Sequence, residues 1–159
     1  MTDGPEPPRR RRWPVVLGLL LLVLVAARLA VGLVPPPQVG LRVGELYPCP
    51  DRDNCVRSGA GDPRHAIEPL ACPGDRLEEV VGLALDVLPR TEMVVVRDGY
   101  AHLRSTSRWM GFVDDLELQA DGDTTQVRAA ARLGREDFGV NRERVESLRE
   151  AVDEAGICS

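Results

Sequence analysis

Apolar and polar positions follow three different rhythms along this chain. From Pro14 to Val34 the 21 residues are almost continuously apolar, and only Arg28 interrupts them. A run of that length suits a helix crossing a hydrocarbon core of about 30 Å. Pro35 to Gln38 (PPPQ) stops the helix and stiffens its exit. The next stretch, VGLRVGELYPCPDRDNCVRSGAGDPRH, is rich in Pro, Gly and Asp and reads as loop. HAIEPL reads as a short strand. In PGDRLEEVVGLALDVL the spacing of Leu77, Val80, Val81, Ala84, Leu85 and Leu88 predicts a helix, with Asp75 as its cap. Four strands follow: TEMVVVR, YAHLRSTS, GFVDDLELQ and TQVRAAARL. Asp98-Gly99, RWMG and ADGD supply the turns between them. NRERVESLREAVDEA is a final helix with Val145, Leu148 and Val152 inward and Asn141 as cap. The order β-α-β-β-β-β-α predicts an α+β two-layer sandwich, a four-stranded antiparallel meander with two helices behind a single transmembrane helix.

Period-2 alternation sorts the meander into two faces. With the hairpins centred on Asp98-Gly99, Trp109-Met110 and Asp121-Gly122, Val94, Val96, Ala101, Leu103, Phe112, Leu116, Leu118, Val127, Ala129 and Ala131 share the face the helices cover. Met93, Val95, His102, Arg104, Asp115, Glu117, Arg128 and Arg132 share the other, expected to be open. The same register sets Val95 opposite His102, His102 opposite Glu117, and Arg104, Asp115 and Arg128 in one cross-strand row. The adjacent pair Asp114-Asp115 therefore splits. Asp115 joins the open face. Asp114 points to the core, where Ser105 across the strand, or donors at the start of the last helix, would satisfy it. On this reading removal of Asp114 costs more stability than removal of Asp115.

Charge sharpens the N-terminal picture. Arg9 to Arg12 precede the apolar run and Trp13 lies at its boundary, so the positive-inside rule places the N-terminus in the cytoplasm and the remainder outside. The expected division is a cytoplasmic Arg-rich tail (1–12), a transmembrane anchor (13–34), a linker (35–47) and an extracytoplasmic domain (48–159). A cleaved signal peptide, with Val15 to Ala27 as its apolar region, is the rival interpretation. Arg28 lies near the outer end, where its side chain can snorkel to the headgroups. From Pro35 onward there are 15 Arg against 23 Asp plus Glu, a net charge of −8. That balance argues against a nucleic-acid partner. All 20 basic residues are Arg, which lowers the weight of any single one as a signal.

Cys49, Cys55, Cys72 and Cys158 are an even set beyond an export signal, which favours disulfides, with Cys49 to Cys55 and Cys72 to Cys158 as the expected pairing among three possible. Cys49, Cys55, His65 and Cys72 around zinc is the competing reading, against which both spacing and compartment count. No metal or cofactor is expected.

PCPDRDNCV, STSRWMGFVDDLEL and VRAAARLGREDFGVNRERVESLR together resemble a bacterial and plant family, domain-of-unknown-function family 1499, over Pro48 to Val152. The pattern matches at Cys49, Asn54, Cys55, Ser105, Phe112, Asp114, Asp115, Arg128, Arg132, Gly134, Asp137, Gly139, Asn141, Arg142 and Arg144. It departs at Ala129 to Ala131, where the family carries Ser. The resemblance implies a membrane-anchored or exported protein and no particular activity.

Catalysis finds little support in the residues. His102 and Ser105 lie three apart on one strand and face opposite sides, so they cannot form a nucleophile–base pair. Asp114 and Asp115 point apart. No phosphate loop or dinucleotide fingerprint is present. An acid–base pair at His102/Glu117 is the one hydrolase-like arrangement. The expectation is a non-catalytic envelope module, binding a small ligand or envelope protein through the polar sheet face and the loop before the last helix. Its candidate residues are Arg104, Asp115, Glu117, Arg128, Arg132, Asp137, Asn141 and Arg142, with Ser105 and Asp114 structural.

Overall fold

The structure, a computed structural model, describes residues 12–36 and 38–158. Arg9 to Arg11 of the basic cluster lie outside the described residues. The apolar run is one helix, α1 (Trp13–Gly32), none of whose residues is buried. After it comes a small hairpin, β1 (Leu41–Arg42) and β2 (Glu45–Leu46), then β3 (Cys55–Ser58) and β4 (Ala66–Ile67). A 3-10 turn at Gly74–Arg76 leads into α2 (Leu77–Val87). The meander follows as β5 (Thr91–Arg97), β6 (Tyr100–Thr106), β7 (Val113–Asp121) and β8 (Thr124–Ala131), and α3 (Val140–Ala155) ends the fold.

The predicted meander is present, but it is part of a six-stranded sheet of order β4-β3-β8-β7-β6-β5. β3 is the strand that reads as loop in the sequence. Its four residues sit between Pro, Asp and Gly clusters, and only pairing with β8 (Val56 opposite Ala129) and in parallel with β4 makes them a strand. Tertiary pairing here overrides local composition.

Three turns fix the register. Asp98 and Gly99 both adopt positive φ, +49° and +73°, as a two-residue type I′ hairpin requires. The second hairpin is centred on Trp109-Met110 as expected, with Arg104 opposite Asp115 and Ser105 opposite Asp114. The third is centred on Gly122-Asp123, so Asp115 lies opposite Ala130, and Glu117, not Asp115, lies opposite Arg128. The slip is two residues, which changes partners and keeps faces. A bulge at Val94 moves Met93 to the other face, opposite Leu103, while Val95 keeps His102.

The helix-facing side of the sheet forms the apolar core. Ala101, Leu103, Leu116, Leu118, Val127 and Ala129 meet Val80, Val81 and Ala84 of α2 and Val145, Leu148 and Val152 of α3. Leu85 departs from its expected inward place and is exposed, and Phe112, just before β7, is also partly exposed. Neither predicted cap is used. Asp75 lies inside the 3-10 turn, and Asn141 lies within the first turn of α3, whose N-cap is Gly139.

Both expected disulfides are formed, Cys49–Cys55 and Cys72–Cys158. The thiols of the alternative zinc set are thereby consumed, and the His65 ring instead bonds the Cys55 carbonyl at 2.9 Å. Cys72–Cys158 spans 86 residues and joins the segment before α2 to the chain after α3; Cys49–Cys55 spans 6. Loop-closure entropy scales with that separation, so replacing Cys72 and Cys158 by Ser is expected to cost about 4–5 kcal/mol against about 2 for the short bridge. Thermal and urea denaturation of the two double variants checks the order.

Candidate functional site

The polar sheet face is not open. Alternation places Tyr100, His102 and Arg104 of β6, Asp115, Glu117 and Gln119 of β7 and Arg128 of β8 on it. Val34 and residues 38–46 lie over this face as a strap. Glu117 is 0% exposed, Arg128 1% and Asp115 2%. Glu117 accepts from the Gly40 N–H at 2.6 Å, from the Tyr100 hydroxyl at 2.7 Å and from Arg128. Asp115 accepts from His102 Nε2 at 2.8 Å and from Arg132, whose Nε and Nη2 lie 2.9 and 2.7 Å from its two oxygens. Arg132 also donates to the Val34 carbonyl at 2.9 Å, and Gln119 donates to that of Gly44. Leu46, at the end of the strap, is buried.

Several sequence expectations change accordingly. Asp115 pairs with His102 and Arg132, and not with Arg104 or Arg128. Arg104 pairs with Glu92 at the exposed edge. His102 and Glu117 face each other but bond to different groups, so the acid–base pair is not formed. Both residues are buried, so neither side chain is open to a ligand from solvent.

Two carboxylates balance two guanidiniums here, Asp115 and Glu117 against Arg128 and Arg132. Burial pushes the Asp115 pKa up, but hydrogen bonds from His102 and Arg132 outweigh it, and the net direction is down. Tyr100 moves up, through burial first and then through the Glu117 charge.

The loop before α3 carries the second set of candidates. Asp137 Oδ1 accepts from the Gly139 N–H at 3.0 Å, and Oδ2 from the Asn141 N–H and side-chain amide at 3.1 and 2.8 Å. Asp137 is thus the acceptor that serves the open N–H groups of α3. Asn141, fully buried, takes a hydrogen bond from Arg144 and reaches towards the Asn54 carbonyl at 3.4 Å. Arg144 in turn donates to Asp114 at 2.9 Å. Asp114 does face the helices, as its parity requires, and its partner is on the last helix. Ser105 lies opposite but bonds Thr91 instead, at 2.7 Å. Burial raises the Asp114 pKa more than Arg144 lowers it. Arg142 donates to the Arg64 carbonyl at 3.2 Å on the far side of the loop.

Beside this network lies a cavity of about 420 Å³, within the size range of small-molecule sites. Phe112, Leu133, Phe138 and Val140 form its apolar wall, with Asp114 and Asp137 among its polar lining groups. Phe138 is 85% exposed and holds φ +56°, followed by Gly139 at +82°. A bulky residue in left-handed backbone is strained. It is held there by the Asp137 contacts and by the Asp137 N–H bonded to the Asp53 carbonyl. Sequence reasoning singled out the polar residues of this loop and passed over Leu133, Phe138 and Val140. Their signal was present as three apolar residues in LGREDFGV, a loop otherwise polar.

Burial favours the opposite stability order to the one the sequence suggests for the two aspartates, since Asp115 is the more enclosed. Asp115→Asn leaves Arg132 without its buried partner and is expected to cost about 3–5 kcal/mol. Asp114→Asn, at a less enclosed site where burial already disfavours ionisation, should cost less than half as much. The pH dependence carries opposite signs. The depressed Asp115 pKa stabilises the fold above the unfolded value near 3.9, and that contribution is lost as pH falls through the folded value. The raised Asp114 pKa favours the fold at low pH, and that contribution is lost as pH rises through its folded value. Urea titrations from neutral pH to below about pH 4 should show the acid-side loss of stability flattened by Asp115→Asn and not by Asp114→Asn.

No curated protein and no solved structure matches this chain. One family does, over residues 45–152, a stretch that includes the buried ion pairs, the Asp137 network and the cavity; its description is Protein of unknown function (DUF1499). Matched over more than half its length, the chain belongs to the DUF1499 family.

Proposed function

We infer that this protein is a single-pass, membrane-anchored module displayed outside the cytoplasm, and that it acts by binding an amphiphile with an apolar tail in the cavity at the start of α3. The carrying observation is Phe138, held exposed in strained backbone at the wall of that apolar cavity. Strain kept at one exposed side chain by a dedicated hydrogen-bond network is characteristic of a functional position. The apolar helix α1 and the two disulfides are compatible with an anchored or secreted protein. Binding is favoured over catalysis because His102, the one imidazole of the polar face, is buried and committed to Asp115.

Three measurements test this reading. A periplasmic-type reporter fused after Ser159 should be active only outside the cytoplasm; activity inside overturns the topology. Native mass spectrometry of the full chain released from phosphatidylglycerol nanodiscs should show a retained lipid that Leu133→Asp loses. Equal lipid on both chains would reject the cavity as the site. Phe138→Gly should raise unfolding stability by about 1 kcal/mol, because it relieves the left-handed strain, while it weakens lipid retention. A destabilised Phe138→Gly would show that the phenyl ring serves packing and not a ligand.

A further inference from the structure

The loop between β6 and β7 is unusually apolar for a turn. Trp109 is 79% exposed, Met110 and Phe112 are also exposed, and the Arg108 guanidinium lies 5.1 Å from the Trp109 ring centre. The loop does not project into open solvent alone. Arg28 of α1 donates from Nη1 to the Trp109 carbonyl at 2.7 Å. Gly111, at φ +72°, lies so close that a Cβ there would come within 2.8 Å of Arg28 Nη1.

These contacts set a depth. A helix of 20 residues is about 30 Å long, the thickness of the hydrocarbon core. Arg28 lies four residues before its outer end at Gly32, about 6 Å inside it. A guanidinium at that level is costly unless it reaches the headgroups or finds a partner, and the partner here is the carbonyl of the exposed tryptophan. The loop therefore lies beside the last turns of the span, next to the interfacial zone in which Trp and Tyr side chains are enriched. Ser107 and Phe112, at the two ends of the loop, also line the cavity.

We propose that the loop Ser107–Phe112 docks on the outer leaflet of the bilayer that α1 crosses, seating Trp109 and Met110 at the lipid interface and setting one wall of the cavity against the lipid. This rests on the anchored reading above and adds to it the surface that meets the membrane. Arg108 supplies the positive charge that anionic headgroups attract.

The chain contains two tryptophans, and each reports one idea. In full-length Trp13→Phe, reconstituted in phosphatidylglycerol vesicles, Trp109 is the sole emitter. In Trp109→Phe, it is Trp13. Lipids brominated near the headgroup end of the acyl chain should quench Trp109 by roughly half or more, as expected for an interfacial ring, and iodide added to the outer solution should quench it weakly. Strong iodide quenching with no effect of brominated lipid would overturn the docking proposal. If Trp13 is quenched by the lipid while Trp109 is not, the anchor stands and the docking fails. If neither is quenched, the anchored reading fails and takes the docking with it. Trp109→Ser with Met110→Ser, in the full chain, gives a second reading: Arg108 in that variant should become more accessible to trypsin in vesicles, and unchanged cleavage would contradict a lipid-covered loop.

Discussion

Glu117 is the constraint around which one side of this fold is built. A carboxylate with no exposure is costly to bury without hydrogen-bond partners. Its partners come from three places: Arg128 on the neighbouring strand, the Tyr100 hydroxyl two strands from Arg128, and the Gly40 N–H from outside the sheet. The last of these requires the strap. Without the strap, Glu117 and Arg128 would meet solvent as an ordinary surface pair, of small value to stability. With it, they are desolvated, and any loss of one partner becomes expensive. The strap is therefore part of the folded domain, although its two-residue strands and its Gly and Pro content give it almost no structure of its own.

That dependence explains which parts of the architecture were legible. The alternation of YAHLRSTS and GFVDDLELQ assigned faces correctly, because a strand's period of two is local and survives a slip of two residues. The burial of the polar face was not legible. It follows from backbone groups of Val34, Gly40 and Gly44, and a carbonyl or an N–H leaves no mark in a residue pattern. A row of Arg, His and carboxylates on one face looks the same whether water or a strap covers it. The partner shift at the third hairpin has a similar origin: ADGD contains more than one plausible centre, and only the Gly122-Asp123 turn matches the pairing that Glu117 and Arg128 make.

The candidate site was half legible for a different reason. Asp137, Asn141 and Arg144 attract attention as polar residues, yet each is used within the loop and helix start, as acceptor, bridge and partner of Asp114. What their network achieves is the placement of Phe138. The sequence reading looked for function in the charged groups, whereas the charged groups hold an apolar one. Leu133, Phe138 and Val140 are separated by polar residues, and their convergence with Phe112 comes only from the chain's return from β8 into α3 beside the loop that precedes β7.

The two tethers between α1 and the domain act on different elements. Arg132, just after β8, holds the Val34 carbonyl at the exit of α1, and Arg28 within α1 holds the Trp109 carbonyl at the β6–β7 turn. A single tether would leave the domain free to pivot on the Pro-rich segment; two attachments at separate points restrict that rotation. They also converge on one side of the sheet, the end at which β7 begins and β8 finishes, and the cavity lies at that same end. Asp115 links the two sides of this arrangement, since the Arg132 that it orients is the residue that reaches Val34. A buried ion pair of this kind contributes little net stability compared with an apolar replacement, so its value here lies in direction: it aims one guanidinium at the Val34 carbonyl just after α1 and fixes the orientation of the sheet end relative to that helix.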